Sequence, residues 1–343
     1  MPNHTSQMHR EICEIPHAVD RLLTGGLPAI KDAAAAVRAL DPALGITIAR
    51  GSSDHVCTYL KYCAELLLGL PVCSVGPSVA SIYKAPLRLD RSVSIAVSQS
   101  GQSPDIVEMA RAARRDGALS VALTNNPDSP LGAVSAHTID IQAGPERSVA
   151  ATKTFVSSAV AGLLLLAEWR QDSDLLAAIH NLPDALDAAT RCDWPEVRAA
   201  ISPGRSLFTL GRGPVWAISN EAALKFKETC QIHAESYSSA EVLHGPVSIV
   251  DEGFPVLCFA AGDAAESSVT EIADQLADKG ARVFVTSGKA QKATAIAHQR
   301  TGHPLADPLC LIVSFYAMVE QVSLSLGIDP DAPRHLRKVT ETT

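Results

Sequence analysis

The chain of 343 residues is 47% hydrophobic and 19% charged, with only 4% aromatics and a formal net charge of −8. This composition excludes a disordered chain, and the lack of any Lys/Arg block argues against a nucleic-acid surface. At roughly 100–200 residues per domain, two domains are expected, and the wealth of Ala, Val, Leu and Ile favours layered helices and buried parallel strands.

The first 21 residues include His9, Arg10, Glu11 and Glu14 and show no apolar core of a secretion signal. Short β-branched runs then follow at Gly45–Ala49, Val93–Val97, Ser120–Leu123 and Thr138–Ile141, and later at Ser206–Leu210, Pro255–Phe259 and Ala281–Val285. Each is apolar on both faces, which predicts strands of parallel sheets covered on both sides. Between them, helical periodicity marks Asp105–Asp116, Thr152–Arg170, Ile218–Ile232 and Ala264–Lys279. The alternation predicts an α/β fold of three-layer αβα domains with right-handed crossovers. The apolar stretch Ala159–Ala167 is too short to cross a bilayer. Eight cysteines show no Cys-x-x-Cys spacing, and Cys63, Cys73, Cys258 and Cys310 sit in apolar runs. They read as buried free thiols, so a cytoplasmic protein without membrane contact is expected.

The pattern occurs twice. Arg50-Gly51 is echoed by Arg212-Gly213, Val121-Ala122-Leu123-Thr124 by Val283-Phe284-Val285-Thr286, and Val97–Gly101, one residue out of step, by Phe259–Gly262. The common offset of about 160 residues implies a duplicated domain. The expected layout is an N-terminal helical segment (1–24), a first domain (25–172), a helical linker (173–195), a second domain (196–328) and an irregular tail (329–343).

Four patches could carry chemistry. Ser98-Gln99-Ser100-Gly101-Gln102-Ser103 follows a strand and precedes a helix at Pro104-Asp105. Hydroxyls, backbone N–H groups and a helix N-terminus would converge there on an anion, although a Ser-rich turn with an ordinary N-cap reads the same way. Arg50-Gly51-Ser52-Ser53-Asp54 is a second strand-to-helix turn; Ser53 could add a hydroxyl, or Ser53 or Asp54 could be an N-cap. Lys225 and Glu228 share a helix face, followed by His233, Glu235 and His244. They could form an acid/base set, but Lys/Glu pairs on helices also read as solvated faces, and His244, before Gly245-Pro246, as a buried structural histidine. No zinc spacing is present, so no metal is expected. Lys338 in the basic tail reads locally as solvated.

Taken in order, these segments resemble the tandem sugar-isomerase (SIS) family, from about Arg50 to Lys338. Further matching segments are Val149-Ala150-Ala151-Thr152-Lys153, Ala223-Leu224-Lys225-Phe226-Lys227-Glu228, His233-Ala234-Glu235-Ser236-Tyr237 and Glu241-Val242-Leu243-His244-Gly245-Pro246. The likeness is to the isomerase half of glucosamine-6-phosphate synthases, and around Arg50–His55 and Pro77–Ser81 it is closer to stand-alone deaminases. The resemblance implies two flavodoxin-like domains with mainly parallel sheets. By position, it implies a phosphate bound by Ser98, Gln99, Ser100 and Ser103 with Ser53 nearby, and a sugar pocket lined by Glu146 and Val149. It further implies that Glu228 is the base between C1 and C2, that Lys225 steadies charge, that His244 opens the ring and that Lys338 contacts the open-chain sugar. In the family the histidine comes from the neighbouring subunit, which implies a homodimer.

The chain starts Met1-Pro2-Asn3 without the N-terminal cysteine of a glutaminase, and it ends Thr340-Glu341-Thr342-Thr343 in place of the synthases' apolar ending. The expected activity is deamination of glucosamine 6-phosphate to fructose 6-phosphate, with no cofactor. A deglycase or isomerase of another amino- or keto-sugar phosphate, or a non-catalytic phosphosugar sensor, stays open.

Overall fold

The computed structural model describes residues 5–338 and divides into two compact units. One contains residues 15–146, 153–180 and the tail from Arg337. The other contains the N-terminal stretch through Glu14, residues 147–152 and residues 181–336.

The first unit is built on β1 (Leu44–Ile48), β2 (Val72–Ser74), β3 (Ser92–Val97), β4 (Leu119–Thr124) and β5 (His137–Asp140), all parallel in the order β2-β1-β3-β4-β5. Its middle strands are buried almost throughout because helices cover both faces. Ile46, Ile48, Ala96 and Ala122 point to one face and pack with Ile106, Met109, Ala110 and Ala113 of the helix Pro104–Arg115. On the other face lies the helix Ser52–Leu68, against which packs the almost wholly buried helix Lys153–Arg170. Gly162 permits that packing: a Cβ on it would lie 2.4 Å from Leu60 Cδ1 and 3.0 Å from Leu60 Cγ.

The second unit repeats the plan with β6 (Leu207–Gly211), β7 (Ala234–Ser238), β8 (Pro255–Cys258), β9 (Arg282–Val285) and β10 (Thr294–Ala295), again all parallel, in the order β7-β6-β8-β9-β10. Phe208, Leu210, Val256, Cys258, Val283 and Val285 face the helix Glu266–Asp278 through Val269, Ala273 and Leu276. The helix Pro214–Cys230 covers the opposite face, where Thr209 Oγ1 donates to Ser219 O at 2.8 Å. The duplication extends to backbone detail. The turns after β1 and β6 place Gly51 at φ 56°, ψ −134° and Gly213 at φ 63°, ψ −139°, each as the N-cap of the helix that follows. Only glycine enters that region without strain.

Three strands were not evident in sequence: β2 and β10 have three and two residues, and β7 carries Glu235, Ser236 and Ser238. All lie at sheet ends, where one edge has no strand neighbour and the apolar pattern is relaxed. Cys73, expected inside, is exposed because it stands on the edge strand β2; Cys63, Cys258 and Cys310 are buried as expected. The helix Asp307–Ser325 was also missed. It is apolar and long enough to cross a membrane (mean hydropathy 1.4), yet 78% of that window is buried inside the protein, as in a core helix. Residues 329–338 form neither helix nor strand, while the tail beyond Lys338, like Met1–His4 of the N-terminal segment, lies outside the described residues.

Replacing Gly162 with Val should lower stability by roughly 1–3 kcal/mol through overpacking against Leu60, read as a shift in urea midpoint at unchanged slope. A shift near zero would show that the two helices have room to part.

Candidate active site

In the first unit, the turn after β3 continues the sheet's hydrogen bonding and then leaves it. Ser98 N donates to Leu123 O at 3.1 Å, and Asn125 N donates to Gln99 O at 3.1 Å. Gly101 takes φ 63°, and a Cβ there would lie 2.0 Å from Ser129 Oγ, so the turn closes only with glycine. Gly101 N donates to Ser98 Oγ at 3.2 Å and Gln102 N to Ser100 Oγ at 3.3 Å, leaving both hydroxyl protons to point elsewhere.

Ser103 is the N-cap of the helix Pro104–Arg115, but its side chain makes no capping hydrogen bond. The ordinary N-cap reading of this turn therefore does not hold. Nor does it hold at Arg50–Asp54, where the N-cap is Gly51 and Ser53 lies within the first helical turn. Ser53, Ser98, Gln99, Ser100 and Ser103 instead line one small cavity of about 130 Å³, together with Arg50 and Lys338. Two helix N-termini open beside it, which adds partial positive charge.

Lys338 Nζ is 2.8 Å from Glu146 Oε2, and Glu146 also accepts from Thr154 N at 3.1 Å and Thr154 Oγ1 at 2.7 Å. Burial alone would push the Glu146 carboxyl up; the Lys338 charge and hydrogen bond and the two Thr154 donors outweigh it and hold the group below the usual range. A depressed carboxylate stabilises above its unfolded value, so this contact acts at neutral pH and fades as acid brings the pH down through the lowered value. Asn125 fixes the approach to Glu146, accepting from Ala143 N at 3.0 Å and donating to Gly144 O at 2.8 Å.

In the second unit, three ionisable groups lie along one face of the helix Pro214–Cys230. Lys225 Nζ is 2.9 Å from Glu221 Oε1 and 2.7 Å from Glu228 Oε2. Tyr316 Oη donates to Glu221 Oε1 at 3.1 Å from the helix Asp307–Ser325. Glu221 and Lys225 have no exposed side-chain surface, whereas Glu228 keeps 20% of its own. The solvated-face reading of Lys225 therefore fails, and Glu228 is the member of the trio that a ligand can reach. Burial pulls the Lys225 ammonium down, but the charges of Glu221 and Glu228 and their hydrogen bonds overcome it and raise it well above the ordinary lysine value.

His244 ends a short 3-10 turn (Glu241–Leu243) before Gly245 at φ 136°, and it is exposed, not a buried structural histidine. Exposed Leu243 and Ile249 flank it. The other residues near the sequence motif have separate tasks: His233 Nδ1 is 3.2 Å from Ser206 Oγ, and Glu235 accepts from Tyr237 Oη at 2.6 Å. Val149 is half-buried in the segment 147–152. Glu11, fully buried, fixes that segment by accepting from Arg147 N at 2.5 Å and Ser148 N at 3.2 Å.

Sequence reasoning had not assigned Glu221, Tyr316, Glu11, Asn125 or a role for Arg50. Glu221 did carry a signal, since it precedes Lys225 by one helical turn. Glu11 also did, as a lone acid on the apolar face formed by Met8 and Ile12.

The fold and site define a duplicated parallel α/β protein with a hydroxyl-lined turn at a helix N-terminus in one unit and a Glu-Lys-Glu ion trio on a helix of the other. The SIS domain family matches residues 46–168 and 200–321, and the chain belongs to that family. It is 31% identical over 96% of its length to a glutamine–fructose-6-phosphate aminotransferase [isomerizing] from Symbiobacterium thermophilum, and 30% identical over 96% to one from Gluconobacter oxydans. It spans 58% of each of those relatives. A crystal structure from Silicibacter pomeroyi DSS-3, assigned to the phosphosugar isomerases, superposes with TM-score 0.93 at 68% identity, covering 95% of this chain and all of that one. A glucosamine-6-phosphate deaminase from Thermotoga maritima shares the fold (TM-score 0.79, 18% identity, 98% of this chain and all of that one).

Lys225→Met should destabilise the protein by roughly 3–5 kcal/mol, because it strands a fully buried carboxylate. A raised lysine stabilises below its unfolded value and loses that contribution as pH rises through the folded value, so the deficit should stay flat from about pH 6 to about pH 10. Urea titrations of both proteins across that range check this; a deficit that vanishes by pH 9 would show Lys225 to be neutral.

Proposed function

We propose that this chain is a phosphosugar isomerase-deaminase that converts glucosamine 6-phosphate and water to fructose 6-phosphate and ammonia. The observation that carries the reading is the set of serine hydroxyls lining one cavity at a helix N-terminus without capping that helix, since a phosphate monoester is the ligand they suit. Its family membership and its 68% identity to a protein assigned to the phosphosugar isomerases support the substrate class.

In this account Ser98, Gln99, Ser100 and Ser103, with Ser53, hold the phosphate, and Glu146 and Val149 line the sugar. His244 moves the proton that opens the ring. Glu228 takes the proton from C2 and returns it to C1 while a proton passes from the amine nitrogen to O1, turning the amino-aldose into a C2 imine with a hydroxyl at C1. Water then adds to C2 and ammonia leaves. Lys225, kept charged between two carboxylates, steadies the negative charge that develops on the enediol-like intermediate. Lys338 contacts the open-chain sugar. We further propose a homodimer in which His244 serves the partner's site, on the ground that this histidine stands exposed between exposed Leu243 and Ile249.

The test is release of ammonia from glucosamine 6-phosphate. Glu228→Gln should lower kcat at least about 100-fold with the fold intact. Glu228→Gln and His244→Ala, each inactive, should regain about a quarter of wild-type activity when mixed and reassembled, because half of the dimers are mixed and each of those holds one intact site. Wild type releasing no ammonia but interconverting another sugar phosphate would move the assignment to an isomerase or deglycase. Binding without any turnover would make the chain a sensor.

A further inference from the structure

The donors that the two turns' serines and Gln99 bring to the proposed phosphate cavity are neutral hydroxyls and amides. A phosphate monoester carries about −1.5 to −2 charges at pH 7, and the chain as a whole is at −8. Two cations stand on this cavity, Lys338 and Arg50. Lys338 is tied to Glu146, next to the proposed sugar position. Arg50 is the residue left to meet the phosphate itself.

Arg50 follows β1 directly before Gly51, and its Nη2 lies 3.1 Å from Asp105 Oδ2. Asp105 is 2% exposed, and its other oxygen accepts from Ile106 N at 2.9 Å, so the carboxylate cannot swing away. The Arg50 side chain remains half exposed on the cavity side of this anchor. A guanidinium presents five N–H donors in a rigid fork, and one contact to Asp105 leaves others to meet an anion. The matching residue of the duplicated half, Arg212, reaches Ser268 Oγ at 3.3 Å, so the reach toward the next helix is common to both halves. The charged anchor and the hydroxyl-lined cavity belong to Arg50 alone of the two.

We propose that Arg50, oriented by Asp105, is the fixed counter-charge of the phosphate cavity and makes the site select a dianion. This rests on the reading of the cavity as a phosphate site. Asp105 acts through Arg50 as a positioning residue, keeping the guanidinium over the cavity in the empty protein.

Calorimetric titration with inorganic phosphate, together with steady-state kinetics on the sugar phosphate, tests it on wild type, Arg50→Gln and Arg50→Lys. The charge-assisted bond predicts that Arg50→Gln weakens phosphate binding and raises KM by about 10- to 100-fold, with kcat within about 3-fold. Arg50→Lys should lose less, because it keeps the charge but not the fork. If wild type binds phosphate and Arg50→Gln binds it equally well, the role of Arg50 falls while the cavity reading stands. If wild type binds neither phosphate nor sugar phosphate, the cavity reading falls first. A variant that loses thermal stability and kcat at unchanged phosphate affinity would make Arg50 structural and overturn the proposal.

Discussion

A parallel sheet whose chain starts on an inner strand must leave that strand and its next inner neighbour toward opposite faces. In the first unit, right-handed crossovers carry the chain from β1 outward to β2 over one face, and from β3 to β4 over the other. The two helices that follow β1 and β3 therefore begin side by side and diverge, and the gap between their N-termini is the crevice in which α/β folds bind ligands. Apart from Lys338, which comes from the tail, the polar lining of the cavity follows from that constraint. Arg50 and Ser53 come from the turn after β1, and Ser98–Ser103 from the turn after β3. Gly51 and Gly101 supply the positive φ of the two turns, and at Gly101 the missing Cβ also leaves room for Ser129.

The same constraint acts on the second sheet, which has the same strand order, yet the outcome differs. There the turn after β8 reads Phe259-Ala260-Ala261-Gly262-Asp263 and has lost the hydroxyls. Asp307 accepts from Gly262 N at 3.0 Å, so a carboxylate of the chain itself occupies the amide that could meet an anion. Glu266 pairs with Lys289 at 2.5 Å and accepts from Ser287 at 2.7 Å, which fills the rest of the turn with internal contacts. Duplication thus kept the scaffold and divided the chemistry. One half has an open, hydroxyl-lined turn, and the other carries buried charges on the helix Pro214–Cys230.

The sequence made the inner strands legible because burial on both faces favours runs of apolar and small residues, as in β3 and β4. The end strands β2, β7 and β10 were not legible, since a half-covered strand of two to five residues needs no such run. The anion turn could be located from Ser98–Ser103, but its use could not, because a serine that caps its helix and one that does not are spelled alike. The partners of Lys225 were half visible. Glu221 stood one turn away, whereas Tyr316 lies 95 residues later and only folding brings it to Glu221. Glu11 was hidden for the same reason, its donors being the amides of Arg147 and Ser148.

The central claim is that the Ser98–Ser103 turn holds a phosphate. A crystal structure with glucosamine 6-phosphate bound tests it most directly. The account predicts phosphate oxygens within about 3 Å of the Ser98, Ser100 and Ser103 hydroxyls and the neighbouring amides. A phosphate seated elsewhere, for example at the carboxylate-filled turn of Gly262–Glu266, would contradict it.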